Sequence, residues 1–218
     1  MDKYLHPTGN SPKRVNLIAL GHSCTDWIKH GLQKGRPAGD EGDEVWTVNR
    51  GLRVFRSDCA FVLDHIPTEC ATDPSYGEAL ACYPGPIITT VTSGHVQRSI
   101  RYPSKNINQA IRAHNASLID PYWHNSVPMV LAYAWYIGVE ELVLWGADYM
   151  LDDGRVIEAD RANAEYWVGW CRARGMRIGV PRSSNLLNAR KHEGLHIYGL
   201  LDQGQAMAWL LDEGHAEA

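Results

Sequence analysis

Asn125-Ser126-Val127-Pro128-Met129-Val130-Leu131-Ala132-Tyr133-Ala134-Trp135-Tyr136-Ile137-Gly138-Val139-Glu140-Glu141-Leu142-Val143-Leu144-Trp145-Gly146-Ala147-Asp148-Tyr149 decides the fold. From Val127 to Ile137 the chain is apolar nearly all round, which predicts a helix buried on every side. Pro128 suits the first turn, where its missing N–H costs nothing, and Gly138 suits the stop. Glu140 to Trp145 then reads as a strand that ends in the small, polar turn Gly146-Ala147-Asp148-Tyr149. A buried helix feeding an apolar strand without alternation points to a sheet covered on both faces.

The same pattern recurs on either side. Val15 to Leu20 is a short apolar run ended by Gly21, followed by an amphipathic stretch from Thr25 to Gln33 with Trp27, Ile28 and Leu32 at helical spacing. Ser23, Thr25 and Asp26 suit its cap or first turn. Lys34 to Asp43 is a loop. Strands are expected at Glu44–Asn49, Cys59–Leu63, Pro86–Val91 and Met176–Val180, with a helix near Tyr76–Ala81 and a clear amphipathic one over Ala159–Gly175. Residues 96–122 are polar and basic early, with weak helical periodicity around Ile107–Ile111. Residues 1–14 read as a flexible arm and 15–218 as a single domain closing on a short helix, Gly204–Leu211. The fold class is α/β, a three-layer sandwich around a mainly parallel sheet.

Composition narrows the function. Of 218 residues, 21 are Lys or Arg and 25 Asp or Glu, a formal charge of -4, which disfavours a dedicated nucleic-acid coat. No run approaches the ~20 apolar residues of a membrane span, and Met1–Asn10 lacks the pattern of a secretory signal. Cys24, Cys59, Cys70, Cys82 and Cys171 are odd in number and include no Cys-x-x-Cys pair. They read as reduced thiols in a cytoplasmic setting.

In open parallel sheets ligands bind beyond the carboxyl ends of the strands. Here those ends are Gly21-His22-Ser23, Asn49-Arg50, Asp64-His65, Ser93-Gly94-His95 and Gly146–Tyr149, with the helix start Asn125-Ser126 expected at the same crevice. Neither Gly-x-Gly-x-x-Gly nor a P-loop is present, so a standard dinucleotide fold and a P-loop kinase are poorly supported. Ser23 and the N–H groups of a helix start suit a phosphate. Asn and Ser hydrogen-bond a ribose or a base edge without burying charge.

Leu17-Ile18-Ala19-Leu20-Gly21-His22-Ser23, followed by Val45-Trp46-Thr47-Val48-Asn49, resembles the opening of the bacterial sialyltransferases of glycosyltransferase family 42. It also resembles the related motility accessory factor and hydroxymethylpterin diphosphokinase-like Rossmann variants. Asn125 to Met129, Ala132 and Ile137 to Tyr149 resemble that family's Ser-Gly helix start and the strand leading into Gly-x-Asp-Phe/Tyr. Ala164-Glu165-Tyr166 to Cys171, Met176-Arg177-Ile178 and Pro181 to Leu187 are similar to its last helix, last strand and ending. The resemblance touches about half of residues 15–190, in order.

The resemblance implies a Rossmann-like domain and a nucleotide-sugar donor. Gly21, His22, Ser23, Asn49 and Arg50 would lie near the nucleotide, Asn125 and Ser126 near its phosphate or base. Gly146, Asp148 and Tyr149 would line the donor cleft, Tyr149 donating to a phosphate oxygen as the leaving group departs. The family's catalytic His before the last helix has no counterpart in Val156–Ala164, which offers Glu158 and Asp160. Sialyl transfer, or any specific sugar, therefore does not carry over.

The base would come from elsewhere. His65, paired in sequence with Asp64, ranks first and His95 second, with His124 and Asp64 as further candidates and His22 at the same rim. An unperturbed imidazole, pKa ~6.5, suits deprotonation of a hydroxyl. Asp152-Asp153 and Asp64-His65 could hold a divalent cation beside a diphosphate, but Asp152-Asp153-Gly154 reads as a solvated turn, and no required cofactor is expected. Arg98–Arg112 with Tyr102, Tyr122 and Trp123 could offer an acceptor surface.

The expected activity is glycosyl transfer to a hydroxyl on a glycan, a small metabolite or a hydroxylated DNA base. The alternatives are a non-catalytic nucleotide-binding module and a pterin-type pyrophosphokinase.

Overall fold

The computed structural model describes residues 6–7, 9, 11–33, 43–91, 96, 98–114, 122–150 and 156–187. All belong to one compact unit, Met1–Leu187; a second unit, Asn188–Ala218, lies outside the described residues, as does the helix expected at 204–211.

The strands are β1 (Arg14–Ile18), β2 (Asp43–Val48), β3 (Cys59–Val62), β4 (Ile87–Thr89), β5 (Ser99–Arg101), β6 (Glu141–Trp145) and β7 (Arg177–Gly179). They form one sheet in the order β5-β4-β3-β2-β1-β6-β7, with every pairing parallel. From β1 the chain steps outward to β5, then returns to lay β6 on the other side of β1. The order therefore reverses between β1 and β6, and a crevice is expected at that reversal.

Helices cover both faces. On one lie α4 (Ser104–His114), α5 (Ser126–Ile137) and α6 (Glu158–Arg172), whose Ile107, Leu131, Tyr133 and Trp167 pack with Leu17, Trp46 and Phe61. The rings of Trp46, Phe61 and Tyr133 sit 5.1–5.8 Å apart in tilted and edge-on pairs. On the other face, Ile66, Tyr76 and Leu80 from α2 (Ile66–Thr72) and α3 (Pro74–Cys82) cover Ala60, Val62 and Ile87. Trp27 of α1 (Cys24–Gln33) covers Ile18 and Val45. Leu17 and Ile18, adjacent in sequence, thus enter different cores, as period-2 geometry requires. The Rossmann-like three-layer sandwich is the observed fold.

Three regions depart from the expected elements. β5 has no apolar run to announce it, because it is a half-exposed edge strand whose burial demand is weak. The Pro- and Thr-rich connection after β3 holds α2 ahead of the expected helix, which is α3, each with a proline in its first turn, where the ring is already in helical φ. The segment expected as a flexible arm is anchored at His6. Its buried ring bonds Tyr133 Oη at 2.8 Å and Glu44 Oε2 at 2.9 Å and stacks 5.2 Å from Trp46. Among the described residues no helix is long and apolar enough to cross a membrane.

Candidate active site

A cleft of about 460 Å³ opens beyond the carboxyl ends of β1, β2 and β3, against the start of α5. Its wall brings together Asn49, Arg50, Asp64, His124, Asn125 and Ser126.

Asn49 organises this wall. It follows β2 with φ +48, a left-handed conformation that Asn tolerates better than other residues with a Cβ. Its Oδ1 accepts from Leu63 N (3.2 Å), while Nδ2 donates to Asp64 Oδ2 (2.6 Å) and to Ser126 Oγ (3.2 Å). One carboxamide thereby ties the ends of β2 and β3 to the first residue of α5. Burial of the Asp64 carboxyl, then the nearby Glu69 charge, raises its pKa; hydrogen bonding with Ser126 and the Arg50 charge oppose this. Arg50 itself is clamped by Glu69 (2.9 Å) and Asp73 (2.5 Å), 5.0 Å above the Tyr76 ring.

Asn125 caps α5. Its Oδ1 accepts from Val127 N and from the Tyr149 hydroxyl, both at 3.2 Å, and its Nδ2 donates to Asp160 O. Tyr149 thus stands behind the cap rather than in the cleft wall, and burial pushes its pKa up. Ser126 sits at the positive end of the helix dipole, with its hydroxyl in the cleft.

The histidines separate. His124, in the cleft wall, has Nδ1 3.7 Å from Asp160 Oδ1. His65 precedes α2 and is exposed, its Nδ1 2.7 Å from Thr68 Oγ1 and outside the cleft wall. His22 is exposed on the turn before α1. His95 and Asp152-Asp153 lie outside the described residues.

The expected single pocket is divided. Where the sheet order reverses, the protein's own groups close the crevice. Ser23 is fully buried; its N–H donates to Asp148 Oδ2, and its hydroxyl donates to Asp148 Oδ1 (2.8 Å) and accepts from Gly146 N (3.0 Å). The Asp148 carboxylate thus occupies the position at the start of α1 where a bound anion was expected. Gly21 N donates to Gly146 O at 2.8 Å. A Cβ on Gly21 would fall 2.5 Å from that carbonyl, so this crossing needs glycine. Gly21, Ser23, Gly146 and Asp148 bond one another at this junction, and none of them lines the open cleft.

The basic stretch does not form a single surface either. Tyr102 is buried with its hydroxyl on Met129 O, and Trp123 stacks at 4.5 Å on Trp167; Tyr122 stays exposed. The sequence puts His65 ahead of His124 because Asp64 adjoins it, whereas the carboxylate nearest His124 in the structure, Asp160, is 36 residues away along the chain. The residues before the Asn125 cap were the available signal. Among the described residues no three His, Cys, Asp or Glu side chains converge as a metal site.

No family model and no curated protein matches the chain. Solved structures do. The monofunctional α-2,3-sialyltransferase Cst-I of Campylobacter jejuni superposes with a TM-score of 0.52 at 10% identity, over 99% of this chain and 98% of that one. An α-2,3-sialyltransferase from Campylobacter jejuni in apo form gives 0.50 at 12% identity, over 94% and 95%. The fold is that of these sialyltransferases. At such identity the likeness is one of architecture, and it extends over nearly the whole of each sialyltransferase chain.

Proposed function

We propose that this chain is a glycosyltransferase that moves a sugar from a nucleotide-activated donor to a hydroxyl acceptor. The observation that carries the reading is the 3.2 Å contact between Asn49 and Ser126 at the mouth of α5. It places a neutral amide, a hydroxyl and a helix N-terminus around one cleft of nucleotide-sugar size. The sialyltransferase fold supports it.

In this reading the donor phosphate lies at Ser126, at the positive end of the α5 dipole. His124, oriented by Asp160, takes the proton from the acceptor hydroxyl. The freed oxygen bonds to the anomeric carbon, the anomeric carbon–phosphate oxygen bond breaks, and the nucleotide leaves with that electron pair. His124 replaces His65 as first candidate base because it faces the cleft. Turnover without a divalent cation belongs to the same proposal, and so does a cytoplasmic setting, which all five cysteines being free supports.

The test is a panel of nucleotides and nucleotide sugars, read by thermal shift and by release of free nucleotide. Stabilisation by one nucleotide sugar, with nucleotide release that survives a chelator, is expected. Stabilisation without release leaves a binding module, and strict dependence on Mg-ATP a pyrophosphokinase.

A further inference from the structure

Tyr122, Trp123 and His124 lead into the Asn125 cap, with Tyr122 and His124 exposed and Trp123 half-buried between them. Trp123 goes inward onto Trp167, with ring planes 8° from parallel. The rings of Tyr122 and His124 lie 6.5 Å apart. The backbone that holds them is pinned. Buried Asn163 donates to Tyr122 O (2.9 Å) and accepts from His124 N (3.0 Å), and Trp167 Nε1 also donates to Tyr122 O (2.7 Å). From α6, Tyr166 meets Tyr122 edge-on at 6.1 Å. Both tyrosines remain almost half exposed, 45% and 47%. Two rigid aromatic rings thus stand in water beside the histidine of the cleft wall.

We propose that Tyr122 and Tyr166 form the acceptor subsite for a neutral pyranose, one ring stacking on its apolar C–H face and the other, set 74° to it, closing its edge, with one sugar hydroxyl reaching His124. The proposal rests on the reading of the cleft as a glycosyltransferase site. Fixed aromatic faces present large contact area at low entropic cost, and tyrosine adds a hydroxyl for the sugar's edge. Charge selects the acceptor class. Between residues 158 and 166, α6 carries Glu158, Asp160 and Glu165 against Arg161 alone, and Arg161 is paired with Glu158 and Glu165. That surface repels a polyanion such as single-stranded DNA and tolerates an uncharged sugar.

Saturation-transfer NMR on the full chain tests this with methyl β-galactopyranoside, methyl β-glucopyranoside and methyl α-mannopyranoside, against a single-stranded DNA oligonucleotide. At least one pyranoside is expected to bind, with saturation concentrated on one C–H face. The signal should fall about threefold to tenfold in Y122A and in Y166A and survive in Y122W. Binding of DNA but of no pyranoside, or pyranoside binding indifferent to both alanines, overturns the proposal. The wild-type epitope and Y122W keep it testable if an alanine variant fails to fold. Pyranoside binding at the tyrosines in a chain that releases no nucleotide would instead overturn the donor reading and leave the sugar subsite standing.

Discussion

The Asn49 amide donates to the Ser126 hydroxyl across 3.2 Å, although 77 residues separate them. The contact joins the strand end at β2 to the helix start at α5, and it exists only because Asn49 accepts a left-handed backbone.

Asn49→Ala keeps the unfavourable φ and leaves Leu63 N without its acceptor, so it should cost about 1–3 kcal/mol of stability. Asn49→Gly relieves the backbone, by roughly 1 kcal/mol, and should therefore unfold later than the alanine variant. Both should lose the stabilisation given by a nucleotide sugar. Thermal melts with and without the donor check this; an undiminished donor shift in either variant counts against the role of Asn49.

His124→Ala should reduce turnover by about 10² to 10⁴-fold while donor affinity stays the same, because the imidazole acts on the acceptor proton. His65→Ala should turn over normally, since its ring faces Thr68. Steady-state rates beside donor titrations separate the two histidines, and equal losses in both would return the base assignment to open contest.

Much of this was legible in the sequence. The apolar run at 127–137, closed by Gly138, announced a buried helix, and the strands without alternation announced a covered parallel sheet. Asn49, Asp64 and Ser126 were legible as rim residues because each ends or begins an element. What could not be read was which rim groups satisfy one another. Ser23 and Asp148 both looked available for a ligand, yet they are 125 residues apart and bind each other. The sequence favoured His65 over His124 because it could not show facing, which is set by packing: Trp123 stacks on Trp167, and His124 turns to the cleft.

Gly146→Ala should be the most damaging alanine substitution among the described glycines. Gly146 has φ +69, and a Cβ there would collide with the Ala19 carbonyl and come within 2.9 Å of Cys24 Cβ. The Ala19 backbone cannot give way, so the loss should exceed about 3 kcal/mol. Ser23→Ala at the same junction should cost about 1–3 kcal/mol by leaving Asp148 and Gly146 N short of partners. Donor affinity per folded molecule should stay near normal in the serine variant, because Ser23 is buried and does not line the cleft. Urea unfolding and donor titration on Ser23→Ala give the answer, and a stable protein that no longer binds donor would move Ser23 into the site.

Acid should act on the Arg50 clamp in a set direction. A hydrogen bond from Ser75, then the Arg50 and Arg53 guanidiniums, hold the Asp73 carboxyl down at about 2 against an ordinary value of 3.8. A depressed carboxylate contributes stability in full above 3.8 and loses it as pH falls toward 2. Wild type should therefore melt above Asp73→Asn at neutral pH, with the gap closing between 3.8 and about 2 and shrinking in high salt, since the cluster is partly exposed. Asp64 has the opposite sign. Its raised pKa favours the neutral form, so its charging subtracts stability as pH rises from 3.8 to the higher folded value. Melting curves of wild type, Asp73→Asn and Asp64→Asn across this range test both signs, and a wild-type advantage over Asp73→Asn that grows on acidification would refute the clamp.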